Sequence, residues 1–177
     1  MLLIMCGVPG SGKSTIARRL ARMIPGSVMH VETDKIRSMF PYPTYLKQES
    51  ELVYAVMFSA AGAALARKYT VILDATFPRR AYRNQAVRIA RAIGSPCHVI
   101  YVKCSKRDAL KRNKFRKTSS RVPTRVINRM ATNFEPPRNA IQIDSLYLSP
   151  ARSAEMILSS LKADKAFNIS SGNPRSR

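Results

Sequence analysis

Gly7-Val8-Pro9-Gly10-Ser11-Gly12-Lys13-Ser14 follows the apolar run Leu2 to Cys6 and opens a helical pattern, Lys13 to Met23. Its spacing is G-x-x-x-x-G-K-[ST], and strand, glycine loop, helix is the context that gives this spacing physical meaning. In such a loop successive backbone N–H groups turn inward and hold the phosphates of a nucleotide at the helix N-terminus. Gly7, Val8, Pro9, Gly10, Ser11, Gly12, Lys13, Ser14 and Thr15 are the expected ATP-binding residues. Lys13 would bridge the β- and γ-phosphates, and the Ser14 hydroxyl would ligate Mg²⁺.

The alternation continues outward from this loop. Pro25-Gly26 breaks the first helix, and Ser27 to Val31 reads as a second strand. It delivers Glu32-Thr33-Asp34-Lys35-Ile36-Arg37 to the carboxyl edge of the sheet, where open parallel sheets bind ligands. Apolar residues at helical spacing predict one long helix over 44–68. Thr70 to Leu73 is a third strand, ending in Asp74-Ala75-Thr76. A helix follows from Pro78 to about Ile93, then a fourth strand, His98 to Val102. Ser105-Lys106-Arg107-Asp108 has capping-box form and opens a helix to about Phe115. Pro123 to Phe134 is another helix, Ala140 to Ile143 a fifth strand, and a last helix runs to about Leu161. The expected fold is α/β, a three-layer P-loop NTPase arrangement with a five-stranded parallel sheet. Residues 1–162 form the domain, with a basic lid near 112–121, and 163–177 are expected as a flexible tail.

Composition bounds the partners. The chain has 177 residues, 45% hydrophobic, with 31 Lys and Arg against 10 Asp and Glu, a net charge of +21. A phosphate substrate explains a local basic patch, whereas this excess points to an RNA or DNA partner, the alternative being adaptation to a salty or hot cytoplasm. Cys6, Cys97 and Cys104 have no metal spacing and read as small hydrophobes in a reducing compartment. No run is long enough for a membrane span, so no membrane partner is expected and a cytoplasmic location is.

Acids are scarce, so those near the active edge stand out. Asp74 ends an apolar strand, the Walker B position, close enough to orient Mg²⁺ or its water shell. The alternative is a strand-end cap on the turn at Thr76. Asp34 and Arg37, three apart on a short helix, share a face. Asp34 would take the proton of a substrate hydroxyl and Arg37 would steady the transferred phosphoryl group; a helix cap with a surface ion pair is the structural alternative. From Lys103 to Arg138 there are 12 Lys and Arg against Asp108 and Glu135. Lys111, Arg112, Lys114, Arg116, Lys117 and Arg121 sit where small P-loop kinases carry a lid. Phe115 and Phe134, beside them, read as core. His30 and His98 read as core histidines in strands.

These motifs resemble P-loop kinases of the polynucleotide-kinase type. The stretch Arg121-Val122-Pro123-Thr124-Arg125-Val126-Ile127-Asn128-Arg129-Met130, with Asn133-Phe134-Glu135-Pro136-Pro137, is similar to the archaeal O-phosphoseryl-tRNA kinases, which phosphorylate the serine hydroxyl of seryl-tRNA. The resemblance covers about residues 2 to 144, the kinase part without that family's C-terminal tRNA-gripping domain. It implies Lys13 and Ser14 as phosphate-loop residues, Asp34 as base in an Asp-x-x-Arg pair with Arg37, and Asp74 as the metal-orienting acid. Arg112 and Arg116 fall where the lid arginines lie. The implied activity is ATP- and Mg²⁺-dependent transfer to a hydroxyl on an RNA-linked acceptor, tRNA by the resemblance. Alternatives are a kinase for a free nucleoside, sugar or amino acid, a 5'-hydroxyl polynucleotide kinase, and an RNA-binding P-loop NTPase with no acceptor.

Overall fold

The computed structural model describes residues 1–116 and 121–170, with 164–170 described by backbone alone. Five strands, β1 (Leu2–Cys6), β2 (Val28–Glu32), β3 (Thr70–Asp74), β4 (Cys97–Lys103) and β5 (Ile141–Asp144), form one sheet in the order β2-β3-β1-β4-β5. Every pairing is parallel, as the alternation predicts. The chain leaves β1 for one flank of the sheet and later crosses to the other. The loop after β1 therefore sits at the point where strand order reverses, the crevice such sheets use for ligands.

Strand periodicity divides the core in two. Leu2, Ile4 and Cys6 point to one face and Leu3 and Met5 to the other, because successive strand side chains alternate. The first face is covered by α3 (Lys47–Ala66) and α4 (Arg80–Ala92), through Val53, Met57, Phe58, Leu65, Ala86 and Ala90. The second is covered by α1 (Lys13–Met23) and α7 (Pro150–Ser170), through Ile16, Leu20, Ile157 and Leu161. Between them lie the short α2 (Thr33–Arg37), α5 (Lys106–Lys114) and α6 (Thr124–Thr132). α5 and α6 pack over their own small cluster of Val122, Val126 and Ile127 with Leu110 and Tyr45.

Element ends differ from expectation in informative places. α7 continues to Ser170 rather than stopping near Leu161. The sequence from Lys162 to Ser170 holds no Gly or Pro to end a helix. The rest of the expected tail, 171–177, and Lys117 of the expected lid lie outside the described residues. Ser105 caps α5, accepting from the Asp108 N–H at 3.1 Å. Asp108 returns to the Ser105 hydroxyl rather than to its backbone. Phe115, expected in the core, is 82% exposed at the C-cap of α5. Phe134 is packed, stacked on Tyr101 with centroids 5.3 Å apart. Among the described residues no helix is long and apolar enough to cross a membrane.

Candidate active site

The carboxyl ends of β1, β2 and β3 open into a cavity of about 660 Å³. Its floor is the loop of residues 7–15. Pro9, Gly10, Gly12, Lys13, Ser14 and Thr15 line it, while Gly7, Val8 and Ser11 are buried beneath. Gly10 lies at φ +89° against α5, so close that a Cβ there would stand 2.5 Å from the Ala109 carbonyl oxygen. The loop and α5 touch because this residue has no side chain.

Lys13 is 7% exposed and its ammonium donates to the Val8 carbonyl at 3.1 Å, which folds it back over the loop. Burial lowers its pKa, against the opposing pull of Asp74 and Asp34. A desolvated ammonium at the floor of the cavity is a cation that an anionic phosphate would neutralise. Asp74 sits beside it at the tip of β3. Burial pushes its carboxyl upward, but His30, the Lys13 charge and a hydrogen bond from Ser14 outweigh that and hold it below the usual range. Asp74 thus remains ionised, with the Ser14 hydroxyl in contact and Oδ2 buried without a hydrogen-bond donor. A hydroxyl and an unsatisfied carboxylate oxygen are donors suited to a hard divalent cation, so Ser14 and Asp74 fit the Mg²⁺ that accompanies a nucleoside triphosphate.

The loop after Asp74 is held firmly. Phe77 is fully buried at φ 45°. Its N–H donates to the Tyr54 hydroxyl at 3.0 Å and its carbonyl accepts from the buried Arg83 at 2.7 Å. Two hydrogen bonds and a packed ring hold this unfavourable backbone in place. Glu135, from the Phe-Glu-Pro stretch, accepts from the Arg80 N–H at 2.7 Å, supplying the start of α4 with a carboxylate that its own N-cap residue lacks.

Asp34 lies on α2 facing the cavity, 52% exposed. Asp34 and Arg37 both line the cavity, and each takes its ionic partner from elsewhere in the chain. Arg37 is buried, ion-paired with Glu49 of α3, and lies 4.3 Å over the Tyr45 ring. Its charge is neutralised in the wall, and Glu49 also accepts from the Thr44 hydroxyl at 2.8 Å. Asp34 instead meets Arg116 at 3.1 Å, across 82 residues of chain. Arg112 also lines the cavity, yet it is anchored. It donates to the Ser145 hydroxyl at 2.9 Å and the Ser145 carbonyl at 2.8 Å, and approaches the Ser11 carbonyl at 3.5 Å. Arg121 turns back to the Lys114 carbonyl at 2.9 Å, closing the end of α5. Among the described residues of the expected basic lid, Arg116 is the one paired with Asp34.

Two residues here had no role assigned from sequence. Glu32 and His30 stand next to Asp74. Glu32 Oε2 pairs with Arg18 at 3.2 Å, and His30 lies between the two carboxylates. Only the β2–β3 register, which sets Glu32 opposite Asp74, brings them there. Tyr45, Tyr54 and Tyr82 form the far wall, with Tyr54 and Tyr82 stacked at 4.2 Å.

Residues 2–137 match the AAA_33 family, described as AAA domain. The chain is 28% identical over 145 residues to an L-seryl-tRNA(Sec) kinase of Methanococcus maripaludis, covering 77% of this chain and 53% of that protein. It is 30% identical over 113 residues to a probable adenylyl-sulfate kinase of Aeropyrum pernix, covering 62% of each. The chain therefore spans little more than half the length of these relatives. The crystal structure of Chaetomium thermophilum Kti12 in complex with ADP-AlF3 superposes with a TM-score of 0.76 at 18% identity, covering 92% of this chain and 98% of that one. That likeness is one of fold. With three quarters of its residues inside the match, the chain belongs to the AAA_33 family and carries the α/β P-loop kinase fold.

Proposed function

We propose that the protein is a phosphotransferase that moves the γ-phosphate of ATP, with Mg²⁺, to a hydroxyl group, and that the acceptor is carried on RNA. The observation that carries the reading is Asp34: an exposed carboxylate on the cavity wall, beside Arg116 and facing the lysine of the phosphate loop. A nucleotide switch has no use for such a group, whereas an acceptor hydroxyl needs one. Asp34 takes the hydroxyl proton as the oxygen attacks the γ-phosphorus and the bond to the β-phosphate breaks. Lys13 and Arg116 offset the negative charge on the transferring group. Mg²⁺ held by Ser14 and Asp74 would neutralise the triphosphate.

The RNA acceptor is supported by the net charge of +21 and by the cavity rim, where Arg18, Arg79 and Arg129 are exposed. Likeness to a protein named as a tRNA-directed kinase points the same way. A free small molecule is the second reading. It is favoured by the tyrosine wall, which narrows the acceptor side of the cavity, and by likeness to a protein named as an adenylyl-sulfate kinase.

The two separate in one experiment. The protein is incubated with γ-labelled ATP, Mg²⁺, total cellular RNA and a metabolite pool, at rising salt. An RNA acceptor gives nuclease-sensitive label, with a rate that falls by at least about tenfold between 50 and 200 mM salt. Label in the metabolite fraction, insensitive to salt, refutes the RNA assignment. Free phosphate alone refutes transfer.

A further inference from the structure

We propose that His30, Glu32 and Asp74 form a binding site for a divalent transition-metal ion, zinc above all, distinct from the Mg²⁺ position beside Ser14. The sheet assembles it. His30 and Glu32 are two apart on β2 and share a face, and the β2–β3 register sets Glu32 directly opposite Asp74. Two like charges in opposed positions repel, and these side chains are only 7% and 3% exposed. Positive charge placed between them relieves that repulsion.

The imidazole of His30 occupies that place, with Nδ1 3.7 Å from Glu32 Oε1 and Nε2 3.4 Å from Asp74 Oδ2. His30 Nε2 and Asp74 Oδ2 are buried without a hydrogen-bond partner. One donor atom from each residue lies within 4.8 Å of the others. A separation of 3.4 Å is long for an N–H···O bond. It is the spacing of neighbouring donors on a tetrahedral ion with bonds of about 2.1 Å. Arg18 holds the other Glu32 oxygen and so fixes the carboxylate. Lys35 approaches Oε1 at 2.9 Å, but its side chain is 71% exposed and can swing into solvent when an ion arrives.

The donor set selects the metal. Imidazole with two carboxylates suits zinc and its neighbours, whereas Mg²⁺ keeps oxygen donors and water. Asp74 serves both positions, so a zinc ion at the triad withdraws the carboxylate from Mg²⁺ and opposes binding of the Mg²⁺–nucleotide. That last coupling rests on the function proposed above; the metal site itself does not.

The test uses the full chain without nucleotide, titrated with Co²⁺ as a coloured substitute for zinc and then with Zn²⁺ to displace it, all in a large excess of Mg²⁺. Wild type is expected to give saturable one-to-one binding, with cobalt absorption of low-coordinate type that zinc abolishes. His30→Gln and Glu32→Gln, each checked for folding by circular dichroism, weaken binding by at least about tenfold. Lys35→Ala strengthens it, because the competing ammonium is gone. A Cys104→Ser, His98→Gln double variant binds as wild type does. The proposal is overturned if folded wild type binds no Co²⁺ under these conditions. It is equally overturned if neither triad variant weakens binding, or if the double variant abolishes it.

Discussion

Replacing Gly10 with alanine tests the contact between the phosphate loop and α5. Two costs act there. The residue sits at φ +89°, and a left-handed backbone costs an L side chain about 1–2 kcal/mol. The added methyl would also stand 2.5 Å from the Ala109 carbonyl oxygen and 3.1 Å from its Cα, both backbone atoms that cannot rotate away. Ordinary contact begins near 3.4 Å, so loop and helix must part by most of an ångström, and such overpacking costs about 1–3 kcal/mol more. Gly26 supplies the control, since it lies at φ +84° with nothing within 4 Å of its would-be Cβ. Gly26→Ala should carry the backbone cost alone. Thermal unfolding followed by circular dichroism should therefore show Gly10→Ala less stable than Gly26→Ala by about 1–3 kcal/mol, or about 2–12 °C in Tm. A fluorescent ATP analogue should bind Gly26→Ala as it binds wild type, and Gly10→Ala more weakly, because the loop has moved. Equal Tm losses, or full nucleotide affinity in Gly10→Ala, would refute this reasoning.

Two further outcomes follow from the same structure. Asn113 is buried and its amide spans Val122, donating to the carbonyl at 2.8 Å and accepting from the N–H at 3.1 Å. Asn113→Ala strands both backbone groups and should cost about 2–4 kcal/mol in chemical denaturation; a loss within 0.5 kcal/mol of zero would contradict it. Asp74 has a depressed folded-state pKa. Its ionisation therefore contributes stability above the ordinary aspartate range near pH 4, and that contribution is lost as pH falls through the folded value. Stability of wild type and Asp74→Asn should converge on acidification below about pH 4; a gap that stays constant with pH would count against the assignment.

Much of this was legible in the sequence because it is local. The phosphate loop, its flanking strand and helix, and the acid ending β3 are each written within a dozen residues. The periodicities that place the five strands are equally local. Asp34 reaches the cavity for the same local reason, since it closely follows a strand that ends at the sheet edge. What escaped is long-range. Arg37 pairs with Glu49 because α3 folds back over α2, and Asp34 meets Arg116 because α5 returns over the cavity. Spacing of three on a helix could not say which partner wins. His30 looked like an ordinary strand histidine until the β2–β3 register set two carboxylates around it. Phe115 misled because an apolar side chain at the end of a short basic helix carries no periodicity to say which way it points.

The account rests most heavily on Asp34 as the base of a phosphoryl transfer. The direct measurement is the initial rate of label transfer from γ-labelled ATP to whichever fraction wild type phosphorylates, compared with Asp34→Asn, with nucleotide affinity of both proteins measured in parallel. Loss of a general base predicts a rate lower by about 10²- to 10⁴-fold, with ATP affinity within about twofold of wild type, since Asp34 faces the acceptor side and the loop residues are intact. Transfer retained at near the wild-type rate by a variant that still binds ATP would contradict it.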